Sequence, residues 1–150
     1  MPSNVYGEND NYNPNKSHVI PALIYKIHKA KKNNQKVIKL FGTGKAKREF
    51  IFSEDLAKAS IKAMQKNKNY SMINIGSGSE ITIKKLANII LKISKHDAKF
   101  IFQNDIPDGT PRKILDSSKI HKLGWSPETN LIDGLKYVYN MYENNINIRI

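Results

Sequence analysis

Helical stripes alternating with short β-type runs are what most constrain the folds open to this chain. Ile20, Leu23, Ile24 and Ile27 recur at helical spacing behind Ser17, a residue able to cap a helix. Pro21 falls in the first turn, where it costs little, and the Asn33-Asn34 turn ends the stripe near Lys32. A second helix starts at Ser53, with Glu54 and Asp55 where the helix dipole favours acids and Leu56, Ala59, Ser60, Ala63 and Met64 as its packed face. Thr82 caps a third helix, which turns Leu86, Ile89, Ile90 and Ile93 to the core. A short helix spans Ser117 to Leu123 and stops at Gly124. The last begins near Leu131, with Leu135, Val138, Tyr139 and Tyr142 on one stripe. Strands are expected at Val37–Phe41, Glu49–Phe52, Ser71–Ile75 and Ala98–Phe102. Residues 1–16 read as loop, with a strand end at Asn4-Val5-Tyr6 before Gly7, and Asn144–Ile150 as a frayed tail. The interleaving of helices and strands argues an α/β fold.

The 150 residues amount to about one domain, and with 39% hydrophobic residues a real core is expected. The net charge of +12 admits nucleic acid, membrane surface or phosphorylated ligands as partners. Its lysines are scattered, among them Lys29, Lys31, Lys32, Lys36, Lys39, Lys45 and Lys47. No nucleic-acid motif interleaves them with aromatics, so no nucleic-acid partner is expected. Cysteine is absent, which removes disulfides and thiolate chemistry from this stretch. The four histidines, His18, His28, His96 and His121, show no metal-ligand spacing, and no metal is expected. No apolar run approaches the roughly 20 residues of a membrane span. The polar N-terminus does not read as a signal peptide, so a cytoplasmic location and no membrane partner are the expectation.

The segment with most chemistry in it is Pro107-Asp108-Gly109-Thr110-Pro111-Arg112-Lys113. Glycine allows close backbone approach to a ligand, and the prolines limit the loop's entropy. Arg112 can fork onto a phosphate, Lys113 adds a point charge, and Asp108 can accept from hydroxyl or amino groups. The same composition also suits a plain surface loop before a helix. His18 stands at a helix start, where an imidazole can serve as general acid or base, although a lone histidine there is more often a capping or surface residue. Arg48 and Glu49 follow a Gly-x-Gly turn and could reach a cleft or face solvent. Neither Gly42-Thr43-Gly44 nor Gly76-Ser77-Gly78 has the third glycine or the strand–turn–helix setting of a dinucleotide fingerprint. No complete nucleotide-cofactor site is therefore expected within the chain.

Taken in order, several strings resemble a known family. They are Met1-Pro2-Ser3-Asn4-Val5-Tyr6-Gly7, Asn15-Lys16-Ser17-His18-Val19-Ile20-Pro21-Ala22-Leu23, Gly42-Thr43-Gly44 with Arg48-Glu49-Phe50, Ile73-Asn74-Ile75-Gly76-Ser77-Gly78, Pro107 to Lys113, and Leu123-Gly124-Trp125. From Met1 to about Glu143 the chain is similar to the C-terminal half of the GDP-L-fucose synthase family, which are extended short-chain dehydrogenases/reductases. The Ser-His-Val-Ile-Pro-Ala and Pro-Asp-Gly-Thr-Pro-Arg-Lys strings carry this family in particular. The others run through sugar-nucleotide epimerases and dehydratases at large.

The resemblance implies the trailing part of a Rossmann-type sheet with a small mixed α/β substrate-binding lobe over residues 1–150. It implies a GDP-sugar substrate, epimerised beside its ketone and then reduced with NADPH, so NADP is the implied cofactor. His18 would be the acid that reprotonates the enolate. Pro2, Ser3, Asn4 and Val5 would line the nicotinamide end of the cofactor, with His18 beside it. Lys26, Phe41, Arg48, Asp108 and Arg112 would contact the substrate. The glycine-rich cofactor turn and the catalytic tyrosine and lysine belong to an N-terminal half that this sequence lacks. Met1 aligns inside the family's length, so a fragment is expected, with that half as partner and a homodimer when complete. Phe52 stands where the family usually has histidine, Ser53 where it has valine, and Glu8 where it has proline. The runner-up expectations are a fragment of another sugar-nucleotide epimerase or dehydratase, and a non-catalytic nucleotide-sugar binding module.

Overall fold

The computed structural model describes residues 1–66, 72–103, 105 and 107–149. The chain runs β1 (Asn4–Tyr6), α1 (Val19–Lys32), β2 (Val37–Phe41), β3 (Lys47–Phe52), α2 (Ser53–Lys66), β4 (Glu80–Thr82), α3 (Ile83–Ser94), β5 (Lys99–Gln103), β6 (Arg112–Lys113), α4 (Ser118–Lys122) and α5 (Leu131–Glu143). This is an α/β arrangement, as the alternation of periods requires.

Strand β3 organises the larger sheet. Its second half pairs in parallel with β1, Asn4 opposite Phe50 through Tyr6 opposite Phe52. Its first half is flanked by β4, antiparallel, and by β6, parallel. Because side chains alternate along a strand, Phe50 and Phe52 enter one core while Ile51 enters another. The first core is built by α1, α3 and α5 around Ile24, Ile27, Leu86, Ile90, Leu135 and Val138. The second gathers Ile51, Ala59, Ile75, Ile120 and Trp125. A separate pair, β2 with β5, runs parallel from Val37 opposite Lys99 to Phe41 opposite Gln103. Its inner residues Ile38 and Leu40 join the first core, and its outer residues Val37, Phe41 and Ile101 are exposed.

Several details differ from the sequence expectations. His18, not Ser17, is the N-cap of α1, and its side chain makes no capping bond. Thr82 does cap α3, its hydroxyl accepting from the Lys85 amide at 3.2 Å. Helix α2 follows β3 without a break and buries only Asp55 and Ala59, leaving Met64 exposed. Of the strand expected over residues 71–75, Ser71 lies outside the described residues, and the rest makes a single bridge, Ile75 to Pro2. Up to Arg149 the tail is not frayed: Arg149 bridges Asn11, its carbonyl accepts the Tyr12 amide at 2.8 Å, and Ile148 packs on the first core, while Ile150 lies outside the described residues. Strands β4 and β6 were not expected at all, because two or three residues carry no readable alternation.

Candidate active-site cleft

A cleft of about 830 Å³ opens where β1 and β2 end, walled by the start of α1, the start of β3 and the Pro107 loop. The carboxyl ends of parallel strands are where open α/β sheets receive ligands, since loops and helix starts converge there. Among the sequence-derived candidates, Ser3, Asn4, Val5, His18, Phe41, Arg48 and Asp108 line it. Residues from five segments of the chain thus meet in one concavity.

Each has a local reason for its place. Asn4 is fixed by its side-chain amide, which donates to the Glu49 carbonyl at 2.7 Å and ties β1 to β3. The Ser3 hydroxyl is buried and finds no partner among the described residues. His18 is exposed at the mouth, delivered there by the Asn13 turn, whose carbonyl accepts from Lys16 and Ser17 at 3.1 and 2.9 Å. Arg48 folds back so that Nη1 donates to the Lys47 carbonyl at 2.8 Å. A Cβ built on Gly109 would lie 3.7 Å from its Nη2, so guanidinium and loop stand side by side.

Asp108 works partly inside the protein. It accepts the Thr43 amide at 2.8 Å and is also bonded by the Thr43 hydroxyl. Those bonds hold its carboxyl below the usual carboxylate range. Gly42, at φ +72°, has Asp108 Oδ1 where a side chain would begin, so only glycine admits this closure.

Lys26 does not line the cleft. Its ammonium lies 4.2 Å from the centroid of the Phe41 ring, and burial lowers its pKa. It therefore backs an aromatic that is 62% exposed at the cleft. Pro2 is also outside the lining, held in its bridge with Ile75. Arg112 is drawn away from the cleft. Pairing of β6 sets it opposite Lys47, and its Nε donates to Glu80 at 2.6 Å, an acid that Lys47 reaches at 2.9 Å. The two cations hold the Glu80 carboxyl below its ordinary pKa.

Three further acids take part: the sequence reading noted Glu8 only as a departure from the family, left Glu49 between cleft and solvent, and did not single out Asp10. Glu8 and Asp10 line the cleft, and Asp10 is held above the usual carboxylate range, first by burial. Glu49 is fully buried: its Oε1 accepts the Gly78 amide at 2.7 Å and its Oε2 the Leu115 amide at 3.1 Å. An acid turned inward to serve as acceptor has no signature in sequence. Tyr25 and Lys29 have Tyr-x-x-x-Lys spacing, but they stack on each other along α1 and stay out of the cleft. Among the described residues no group of acids and histidines gathers where it could hold a metal ion, and no helix is long and apolar enough to cross a membrane.

Chemically the cleft offers a forked cation beside a glycine, an exposed imidazole, three carboxylates and an aromatic face. That set suits a phosphorylated sugar whose protons are to be moved.

The chain is similar to known proteins along most of its length. Residues 1–76 match the NAD dependent epimerase/dehydratase family. A putative GDP-L-fucose synthase 2 from Arabidopsis thaliana is 43% identical over 146 residues, covering 97% of this chain and 44% of that protein. The crystal structure of a GDP-L-fucose synthetase from Naegleria fowleri bound to NADP superposes with TM-score 0.85 at 26% identity, over 96% of this chain and 46% of that one. A GDP-6-OMe-4-keto-L-xylo-heptose reductase from C. jejuni superposes with TM-score 0.85 at 32% identity, over 96% and 53%. The chain spans under half the length of curated relatives that it matches.

Proposed function

This chain belongs to the NAD dependent epimerase/dehydratase family, and from that premise we propose that it is the C-terminal, substrate-binding part of a GDP-L-fucose synthase. The whole enzyme would epimerise GDP-4-keto-6-deoxy-D-mannose at the carbons flanking the ketone and reduce that ketone. The reading is carried by one observation: His18 and Arg48, from strings that resemble the synthase family, line the same cleft. The 43% identity to a protein named as such a synthase supports it. A GDP-heptose reductase is the second reading, favoured by the 32% identity to the C. jejuni enzyme.

In the proposed mechanism Arg48 grips the diphosphate with paired N–H donors, beside Gly109, where the backbone can come close. Phe41 lays an apolar face under the sugar, stiffened by the Lys26 ammonium behind it. Asp108 holds the Gly42-Thr43-Gly44 turn shut and thereby fixes the cleft wall. His18 delivers a proton to the carbon beside the ketone once that carbon has been deprotonated. The residues present fit the nicotinamide end of NADP: Ser3, Asn4 and Val5 line the cleft, and the Ser3 hydroxyl is a buried donor with no partner among the described residues. When bound, NADPH supplies the hydride for the ketone. An N-terminal half would complete the cofactor cradle, and the assembled enzyme would pair as a homodimer.

The test uses solvent deuterium, which reports proton traffic without hydride transfer. In the complete enzyme, His18→Gln is expected to cut incorporation into the keto-sugar by about a hundredfold or more while sparing affinity. Full incorporation with weakened binding would make His18 a binding or capping residue. The 150-residue chain alone is expected to give no turnover with NADPH. Turnover by the purified chain, free of any partner, would refute its placement as a half-enzyme.

A further inference from the structure

We propose that Glu8 is a specificity-determining residue of the cleft, a carboxylate aimed by a hydrogen bond from Tyr137 so that its other oxygen accepts from a hydroxyl of the bound sugar. The proposal rests on the reading of the cleft as a nucleotide-sugar site, with Arg48 on the diphosphate. Glu8 lines that cleft, while Tyr137 stands on α5 outside it.

The bond joins groups 129 residues apart in sequence: the Tyr137 hydroxyl donates to Glu8 Oε1. The ring that carries this hydroxyl is set by a run of edge-on aromatic contacts. Tyr137 meets Phe52 at 6.0 Å between centroids, and Phe52 meets Tyr6 at 5.5 Å. Tyr6 and Phe52 are buried, so the run starts from fixed rings. On the other side of Glu8, Gly7 lies so close to Ser53 that a Cβ would run into its hydroxyl. Both the backbone before Glu8 and the end of its side chain are therefore held. Glu8, Phe52 and Ser53 are also the three places where the sequence departs from the family pattern, and the fold brings all three to this corner of the cleft. A proline in place of Glu8 would give the cleft no polar side-chain atom.

The remaining cleft carboxylates are spent or sheltered. Asp108 is committed to Thr43. Asp10 is half-buried and accepts the amide next to it at 2.8 Å. Glu8 is exposed, and among the described residues only Tyr137 bonds it. The phenol is raised above its usual range, first by this bond, as a donor to a carboxylate should be. A carboxylate with one oxygen already satisfied keeps lone pairs for a neutral O–H donor, and a sugar ring supplies such donors. Arg48 would then hold what all ligands of the class share, and Glu8 would read the sugar.

The complete enzyme tests this with two probes, GDP and the GDP-linked keto-sugar. Glu8→Ala is expected to raise KM for the keto-sugar about tenfold, with kcat and the affinity for GDP unchanged, since a charge-assisted hydrogen bond to the sugar is lost. Tyr137→Phe keeps the ring against Phe52 and removes only the hydroxyl. It is expected to raise the same KM by a smaller factor and to add nothing in the Glu8→Ala background. Equal weakening of GDP and keto-sugar, an unchanged KM, a fall in kcat alone, or additive losses overturn the proposal. If Arg48→Ala weakens GDP while Glu8→Ala leaves KM as it was, only the role of Glu8 fails. If Arg48→Ala leaves GDP affinity intact, the reading of the cleft fails and this proposal falls with it.

Discussion

Asp108 grips Thr43 twice, through the backbone amide at 2.8 Å and through the hydroxyl, and so shuts the turn after β2 against the loop after β5. The carboxyl titrates below the ordinary range because the charged form holds these bonds. A depressed acid contributes stability that is present above its unfolded pKa and is lost as pH falls through its folded one. The Thr43 amide resonance is therefore expected to shift with a midpoint below that of a free aspartate. Asp108→Asn should abolish that titration. A Thr43 midpoint at or above the usual value would show that the clamp does not form.

Arg48→Ala should weaken binding of GDP to the complete enzyme. A charge-assisted hydrogen bond contributes about 1.5–3 kcal/mol, which corresponds to a loss of about tenfold to a hundredfold. Calorimetric titration with GDP measures it. Arg112→Ala, whose side chain is committed to Glu80, is expected to change GDP affinity little.

Gly134→Ala sets two effects against each other. Alanine is the better helix former by about 1 kcal/mol. Gly134, however, lies in the buried face of α5, and a Cβ there would run into the Tyr6 hydroxyl. Tyr6 is only 3% exposed and cannot swing away. Overpacking of this kind costs about 1–3 kcal/mol, so net destabilisation is expected from the urea midpoint.

His28 is buried between α1 and α5, its ring set edge-on to Tyr142 at 5.2 Å, with Tyr139 at hydrogen-bond distance from Nδ1. Burial and then the Lys32 charge lower its pKa. The unfolded chain therefore binds the proton more readily than the folded one, and stability drops as pH falls below the ordinary imidazole range. The urea midpoint should decrease between about pH 7.5 and pH 5, and His28→Gln should flatten that slope. A midpoint indifferent to pH in the unaltered chain would contradict this.

The long helices were legible because their stripes are strong: Ile24 and Ile27, Leu86 and Ile90, Leu135 and Val138 all sit where spacing put them. The short strands were not, since β4 and β6 exist only because β3 offers its edges to Glu80–Thr82 and Arg112–Lys113. Arg48 and Glu49 show the limit within one dipeptide. Spacing said that charge lay near a cleft, but strand alternation sends Arg48 to the cleft and Glu49 into the interior. Asp10 was hidden in an asparagine-rich run whose polarity argued for loop and nothing more.

The pairing of Tyr12 with Arg149 has a consequence in time. The loop that presents His18 is synthesised well before the carbonyl that holds it. The sheet and helices that lie between the two can condense as they emerge, but this loop must wait, because its closing contact is so distant in sequence. A nascent polypeptide stalled before Arg149 would carry the histidine unset.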